Sequence, residues 1–199
     1  GNVVIPDTVT SIADRVFYGN RSITSVVIPA SVESIGDSVF YECSSLASVE
    51  FKVDSSGVSK LGLINTWAFG YCKALSKVYI PEGVSTIGEH AFCHCSYLSK
   101  AFIPKSVSAI MYHAFNCSSL SVIYYGGTKT QWGNISHGNY ALSSYYDGGF
   151  YGTIYFNAVK SDFDGMTNVD NGYDERPGGI YWDFEETEPV DEIEIWLNA

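Results

Sequence analysis

The sequence predicts a repeat solenoid, in which successive coils stack and their short strands form a parallel β-sheet. A recurring segment, IPEGVSTIGEHAFCHCSYL, occupies residues 80–98 and returns at residues 103–120 and 28–46, with a more divergent copy at 5–23. A phenylalanine preceded by Ala or Val marks each unit, at successive spacings of 23, 29, 23 and 23 residues: Phe17, Phe40, Phe69, Phe92 and Phe115. A fixed period of this length is typical of stacked repeat architectures.

Each element of the unit follows from its apolar spacing. Val78 and Ile80 are two residues apart, so they lie on one face of a short strand, which Pro81 ends because it has no N–H to donate. Val84 and Ile87 predict a second short extended piece, and the AFxxC segment predicts a tight helical turn into the next strand. One coil cannot bury its apolar side alone, but stacked coils form a continuous core.

Two segments depart from the period. The coil before Phe69 has six extra residues, most of them at 53–57, which we interpret as a surface loop insertion, with a functional loop as the alternative. After Leu120, residues 121–125 predict a strand, a variant coil follows in which Trp132 and Ile135 fill the core, and residues 153–156 predict the last parallel strand. Solenoids need such atypical end coils to cover their apolar cross-section.

We therefore divide the chain into a solenoid of about five to six coils at residues 1–158, the last atypical at 121–158, and an acidic segment at 159–199. Residues 180–184 and 192–197 alternate apolar and polar side chains. They fit a β-hairpin cap over the open end or the start of a further domain equally well.

Charge and composition exclude several classes of partner. Apolar residues make up 46% of the chain, and the net charge of −11 lies almost wholly in residues 160–199, which hold twelve acidic and two basic side chains. With no basic stripe, nucleic acid is not an expected partner. No apolar run reaches the roughly 18 residues of a membrane span, so we expect no membrane insertion. The chain begins inside a repeat, and we expect it to be an excised fragment whose lack of a signal peptide carries no weight.

Four cysteines occupy a repeat address, two or three residues after the marker phenylalanine: Cys43, Cys72, Cys95 and Cys117. A residue type fixed by its place in the repeat suggests a packing element rather than a disulfide partner. We predict reduced, buried thiols on the inner wall of the coils.

The consensus LxxVxIPxxVxxIGxxAFxxCxx resembles the BspA-like (Treponema-type, 23-residue) leucine-rich repeat surface protein family, and YYGGTKTQW resembles its closing coil. The resemblance covers about residues 2–157. It implies a leucine-rich-repeat-type right-handed coil with a parallel β-sheet, short second strands, helical turns and an atypical C-terminal end coil. It also implies a bacterial secreted or cell-surface protein used for adhesion or protein binding, without catalytic residues. The acidic segment has no counterpart in the repeat.

Leucine-rich solenoids bind through the exposed side chains of their strand face, so the outward positions are the candidates for a binding surface. One column contains Glu50, Tyr79, Phe102, Tyr124 and Tyr155, and a second contains Lys77 and Lys100. Stacked strands place neighbours about 5 Å apart in each column. Aromatic rings give large contact area at low entropic cost, so we predict these seven residues as ligand-binding. The alternative is a purely structural ladder of stacked side chains.

Other chemistry is weakly indicated. His90 and His113 align on adjacent coils near Cys93 and His94, which allows a zinc hypothesis that we do not favour. The acidic residues after position 160 allow a calcium hypothesis, but their spacing fails the EF-hand pattern. No GxSxG, HExxH or phosphate-loop motif occurs. We expect no enzyme activity, no metal and no cofactor.

The sequence therefore predicts a non-enzymatic adhesion or protein-binding module, extracellular or on the cell surface. The expected partner is a host or bacterial surface protein, or a glycan, and the expected state is a monomer. Two alternatives remain: a carbohydrate-binding module that uses the aromatic column, and a structural spacer within a larger surface protein.

Overall fold

The computed structural model describes residues 1–117, 119–142, 150 and 152–165. The elements in chain order are β1 (Asn2–Val4), β2 (Ser11–Ile12), β3 (Ser25–Ile28), β4 (Ser34–Ile35), β5 (Ser48–Phe51), β6 (Leu63–Ile64), β7 (Lys77–Tyr79), β8 (Thr86–Ile87), β9 (Lys100–Ile103), β10 (Ala109–Ile110), β11 (Val122–Tyr125), α1 (Lys129–Gly133), β12 (Ser136–His137), β13 (Thr153–Tyr155) and α2 (Lys160–Gly165). Strands recur at the repeat period, and the predicted parallel-strand solenoid is confirmed.

The first side of the coils is a parallel sheet of the odd-numbered strands, divided into β1-β3-β5 and β7-β9-β11-β13. Its register advances by one repeat per strand, since Val26 pairs with Val49 and Val78 pairs with Ala101. Val78 and Ile80 are both buried, as their two-residue spacing predicts. The core lies inside the coils, behind this sheet.

The second side contains two-residue strands, in the order β2-β4 and β6-β8-β10-β12, which confirms the short second strands. Both sheets are interrupted at the coil with the extra length. Residues 52–58 of that coil are exposed. The Asp54 carboxylate accepts the backbone N–H of Ser56 at 2.8 Å and of Val58 at 3.2 Å, which closes a surface turn. The loop insertion therefore lies on the surface, as expected.

The third side differs in detail from the helical turn expected. In the coil around Phe69, the N–H groups of Trp67, Phe69 and Tyr71 donate to carbonyls of the following coil, at 3.0, 2.8 and 2.8 Å. Trp67 and Tyr71 adopt left-handed φ values of 57° and 60°. Because alternate N–H groups bond between coils, they cannot close consecutive α-helical bonds. The segment is a series of tight turns that forms a third coil-to-coil ladder.

The marker phenylalanines form a continuous spine inside the solenoid. Consecutive rings stack with centroids 5.1–5.3 Å apart and planes within 5–9° of parallel: Phe17, Phe40, Phe69, Phe92 and Phe115. Offset stacks of this kind add about 0.5–1.5 kcal/mol per pair to the burial of the rings.

The repeat cysteines satisfy the backbone beside that spine. Each donates its thiol hydrogen to the carbonyl oxygen of the marker phenylalanine one coil earlier, at 2.9–3.2 Å. All five cysteines of the chain are buried and unpaired by disulfides. The predicted buried, packing role of the repeat cysteines is confirmed.

The atypical end coil also agrees with prediction. Thr128 caps α1 through a reciprocal pair of hydrogen bonds with Gln131, an arrangement known as a capping box. Trp132 is fully buried and Ile135 nearly so, and both replace the usual repeat residues in the core. The parallel pairing of β13 with β11 then completes the first sheet. Residues 180–184 and 192–197, which fit a hairpin cap or the start of a further domain equally well, lie outside the described residues.

Candidate binding surface

The outer face of the first sheet carries four aligned rings, which we call the aromatic column: Tyr79, Phe102, Tyr124 and Tyr155. The strand register places each directly opposite the next. Tyr79 and Phe102 stack at 4.5 Å between centroids, and Tyr124 and Tyr155 stack at 5.4 Å. The predicted alignment of the column is therefore present.

The charged candidates lie beside the column or apart from it. Lys77 pairs in register with Lys100 in the adjacent outward column, where Lys77 is exposed and Lys100 half-buried. Glu50 is exposed on β5, across the interruption of the sheet, and forms a surface ion pair with Lys52 at 2.5 Å. The structure brings the two lysines together with the rings, but it does not bring Glu50 into the same cluster.

The chain itself covers part of the column. After β13, Asn157 adopts a left-handed φ of 55° and donates its N–H to the Gly127 carbonyl at 2.8 Å. Ala158 donates to the Tyr125 carbonyl at 3.0 Å, so the backbone turns back over the outer face. α2 then places Phe163, which is 3% exposed, on the column.

Phe163 contacts three members of the column. Its centroid lies 5.8 Å from that of Tyr79, 6.4 Å from that of Phe102 and 6.0 Å from that of Tyr124. The planes meet Phe102 at 73° and Tyr124 at 86°, which is the edge-to-face geometry that aromatic quadrupoles favour. Together with Val122 and Ala158, these rings form a second apolar cluster outside the core.

Two cations complete this contact. The Nζ of Lys77 lies 5.5 Å from the Phe163 centroid, and the Nζ of Lys160 lies 5.4 Å from the Tyr79 centroid. Such cation–π contacts contribute about 0.5–1 kcal/mol at exposed sites. Burial raises the pKa of Tyr79, and the negative charges of Glu82 and Asp164 add to that shift. Without α2, the column therefore presents apolar rings beside the positive charge of Lys77.

The expectation that all four rings face solvent is wrong for two of them. Phe102 is 4% exposed and Tyr124 is fully buried. The reason is the docking of α2, a segment without repeat character whose position the repeat pattern cannot reveal. Tyr79 and Tyr155 are half-buried, so the accessible candidates are these two tyrosines with Lys77, Lys100 and Glu50.

The turn side of the coils carries a second aromatic surface, the turn ridge, which sequence reasoning largely missed. Its members run along the solenoid axis: Tyr18, Tyr41, Trp67, Tyr71, His90, His94, Tyr112, His113 and Tyr140. Trp67 stacks on His90 at 4.2 Å, and Tyr71 lies 4.5 Å from His94. A Cβ on Gly70 would lie 2.6 Å from Trp67 Cε3, so the ring needs a glycine beneath it.

The repeat aligns His90 with His113, as predicted, and Trp67 holds the same repeat position one coil earlier, whereas Tyr71, Tyr112 and Tyr140 come from other positions. Tyr18 and Tyr41 share one repeat position, directly after a marker phenylalanine, and this pair was the available sequence signal for an aromatic surface on the turn side. Tyr18 and Tyr140 are each about half exposed.

The surroundings of the histidines in the turn ridge favour the neutral imidazole over the charged form. Burial lowers the pKa of His90, of His94 and of His113, and nearby positive charge lowers each further: His113 acts on His90, Lys73 on His94, and His94 on His113. Burial also raises the pKa of the adjacent Cys93 thiol to about 12. Zinc binds the thiolate rather than the thiol, so this environment disfavours a zinc site. Among the described residues, no group of three or more His, Cys, Asp or Glu side chains could hold a metal ion.

Parallel coils of about 23 residues with short second strands and a stacked phenylalanine spine define a leucine-rich-repeat solenoid. The chain belongs to the BspA type leucine rich repeat family, whose model matches in six copies across residues 1–62 and 56–146. The resemblance noted in the sequence is thereby confirmed, and the family favours a protein-binding module.

Solved structures agree with this assignment. A leucine rich cell surface protein from Faecalibacterium prausnitzii is 34% identical with a TM-score of 0.63, over 72% of this chain and 35% of its own. The leucine rich repeat protein of T. pallidum is 31% identical with a TM-score of 0.56, over 62% of this chain and 57% of its own. A leucine-rich repeat protein from Eubacterium ventriosum, 24% identical with a TM-score of 0.52, shares the fold over 60% of this chain and 37% of its own.

This chain therefore spans between 35% and 57% of the length of each of these proteins. No curated protein matches the sequence. Within the described ranges, no helix has the length and apolar character needed to cross a bilayer.

Proposed function

We propose that this chain is a non-enzymatic protein-binding module of a secreted or cell-surface protein, and that its partner binds the strand face around Lys77, Tyr79, Lys100 and Tyr155. An adhesive role on the bacterial surface is the context that fits this proposal. The family supports the protein-binding part of this proposal, and the F. prausnitzii protein, which is described as a cell surface protein, supports the location.

The observation that carries the proposal is the capture of Phe163. The strand face already holds a phenylalanine from a segment outside the repeat, with three rings around it and Lys77 over its face. Buried aromatic anchors beside charged groups are the usual energetic centres of protein interfaces. A surface that binds one such anchor within the molecule has the chemistry to bind a protein partner.

The ring geometry favours a protein over a glycan. Sugars stack on exposed ring faces, whereas Tyr79 lies nearly parallel to Phe102 at 21° and Tyr124 to Tyr155 at 23°. Their faces are therefore largely directed at one another. Aliphatic and aromatic protein side chains can instead pack against the edges and gaps of such a stack.

The test is a binding screen of the full chain against an array of purified host and bacterial surface proteins, alongside a glycan array. Lys77→Glu is the test variant, because Lys77 is exposed and lies beside the column, over the Phe163 ring. Lys60→Glu is the matched control, with the same charge change at a loop site whose surface ion pair with Glu33 spans 3.6 Å. Such surface pairs contribute about 0–1 kcal/mol, so folding should survive both changes.

We expect at least one protein to bind wild type and the Lys60 variant equally, and the Lys77 variant at least about tenfold more weakly, as loss of about 1.4 kcal/mol produces. Binding to glycans alone would favour the carbohydrate-binding alternative. Absence of any ligand on both arrays would favour the structural spacer. A protein whose binding ignores Lys77 would place the interface elsewhere, with the turn ridge as the next surface to test.

A further inference from the structure

We propose that the aromatic column recognises short acidic protein segments that carry a phenylalanine, and that α2 occupies this site within the chain. The inference rests on the proposed function, since it assigns a chemical class to the partner of the same face. It adds a competition: an external segment must displace α2 before it binds.

The chemistry of the present occupant defines the class of ligand. In the sequence, Phe163 directly follows Asp162 and precedes Asp164, so the occupying segment carries a carboxylate on each side of its anchor residue. On the sheet, Lys77 and Lys100 lie in register beside the column, and Lys77 lies over the anchor ring itself. An apolar ring slot next to paired cations complements an acidic segment with a central phenylalanine.

The attachment of α2 depends mainly on that single ring. Phe163 is buried, whereas Lys160, Ser161 and Asp164 are exposed and Val159 is 56% exposed. A helix of six residues is too short to be stable alone in water. A segment held by one anchor is a segment that a competing anchor can displace.

Polar contacts within α2 stabilise its own shape. The Asp162 carboxylate accepts the Val159 N–H at 2.8 Å, and Asp164 forms an ion pair with Lys160 four residues earlier. These interactions remain available to α2 after it leaves the sheet. Its displacement therefore costs the burial of Phe163, the contacts of that ring and the contact of Lys160 with Tyr79.

The sequence holds a second segment of the same chemistry, Asp183-Phe184-Glu185. It lies outside the described residues, and it determines which variants the experiment needs. If Phe163 is removed, this segment could take its place, so a variant lacking both phenylalanines is needed to leave the column open.

Occupation by α2 has a measurable consequence. When only a minor fraction of the molecules has the column uncovered, the apparent affinity for an external ligand is the intrinsic affinity multiplied by that fraction. With about 1–10% of molecules uncovered, wild type binds about 10–100 times more weakly than an uncovered variant.

The test uses the full chain as wild type, Phe163→Ala, and Phe163→Ala with Phe184→Ala. The probe is a fluorescein-labelled peptide of residues 156–165, and the control probe has alanine in place of Phe163. Fluorescence polarisation gives the affinities, and circular dichroism melting reports folding. Lys77→Glu and Lys60→Glu, each in the doubly substituted background, test the charge requirement.

We expect the doubly substituted chain to bind the probe at least about tenfold more tightly than wild type. Binding should be lost with the control probe, weakened by Lys77→Glu and unchanged by Lys60→Glu. Equal binding by wild type and both Phe163 variants would overturn the proposal, as would binding that does not need the probe's phenylalanine at position 163.

Two further results would also overturn it. Loss of the folded solenoid in Phe163→Ala would show that α2 is a structural part rather than a displaceable occupant. A concentration-dependent wild-type dimer that Phe163→Ala abolishes would assign the column to exchange of α2 between two copies. If the peptide fails to bind while a surface protein still binds in a Lys77-dependent way, the proposed function stands and only this inference fails.

Discussion

The ring of Phe163 meets the ring of Tyr124 edge-on, with 6.0 Å between centroids and 86° between planes. The first belongs to α2 and the second to β11, so an irregular segment and a repeat strand share one apolar cluster. Because α2 docks here, the strand face has one part that is covered and one part that is open. The part around Val4 and Glu50 is open to solvent, and the part around Tyr124 is covered.

Substitution of Tyr124 should destabilise the solenoid. Because the side chain is fully buried between Tyr155 and Phe163, Tyr124→Ala should lower the free energy of unfolding by about 3–5 kcal/mol. Urea unfolding followed by circular dichroism measures the change. Lys77→Ala, at an exposed site on the same face, should cost no more than about 1 kcal/mol, the size of its cation–π contact with Phe163. A Tyr124 variant as stable as the Lys77 variant would mean that the ring is not buried in solution.

The thiols should resist modification while the chain is folded. All five are buried, and burial raises the pKa of Cys43 to about 11 and that of Cys93 to about 12. At pH 8 about one molecule in a thousand carries the Cys43 thiolate, and the thiolate is the reactive form. An aromatic disulfide reagent should therefore release colour slowly from the native chain and rapidly from all five thiols in urea. Fast release before unfolding would contradict the structural assignment of these cysteines.

Gly88, the glycine that follows Ile87 in the repeat, should be required for close packing between neighbouring coils. A Cβ on Gly88 would lie 2.7 Å from the Ile64 carbonyl oxygen of the preceding coil. The backbone must shift to accept it, so Gly88→Ala should cost about 1–3 kcal/mol in urea unfolding. Gly133→Ala, at a helical position where a Cβ meets nothing within 4 Å, should be neutral or stabilising by up to about 1 kcal/mol. Equal effects from the two substitutions would show that the coils are not packed this closely.

Stability should fall as the pH drops below about 6.5. His90, His94 and His113 have pKa values lowered in the folded chain, mainly by burial, so the unfolded chain binds protons first. Their contribution is fully present above the unfolded pKa and is lost as pH falls towards the folded pKa values. Because these side chains are partly exposed, solvent screening keeps the slope for each histidine well below the limit of about 1.4 kcal/mol per pH unit.

Urea midpoints between pH 7.5 and 5 give the measurement. His113→Gln should make this pH dependence shallower, whereas it should not alter the pH dependence contributed by acidic groups at lower pH. Stability that is flat or rises between pH 7 and 5.5 would contradict the lowered histidine pKa values.

Much of the coil could be predicted from the sequence because each inward residue packs on the equivalent residue of the neighbouring coil. The marker phenylalanines stack at 5.1–5.3 Å because a shift of one period brings each ring over the preceding one. The same logic placed Cys95 one coil from Phe69 and aligned Tyr79 with Phe102. The helical turn was less accurate, since local pattern cannot show that the N–H of Trp67 bonds to Glu89 in the next coil.

The sequence by itself determined the period, the buried positions and the lateral order of the strands, because a repeat specifies every neighbour that lies one period away. Only the tertiary structure decided which outward residues meet solvent. Phe163 has no periodic relation to Tyr124, and its position depends on how the chain reverses at Asn157 after the last strand. The turn ridge likewise depends on ring directions set by left-handed backbone at Trp67 and Tyr71. Those contacts follow from packing between non-equivalent positions, on which the repeat imposes no constraint.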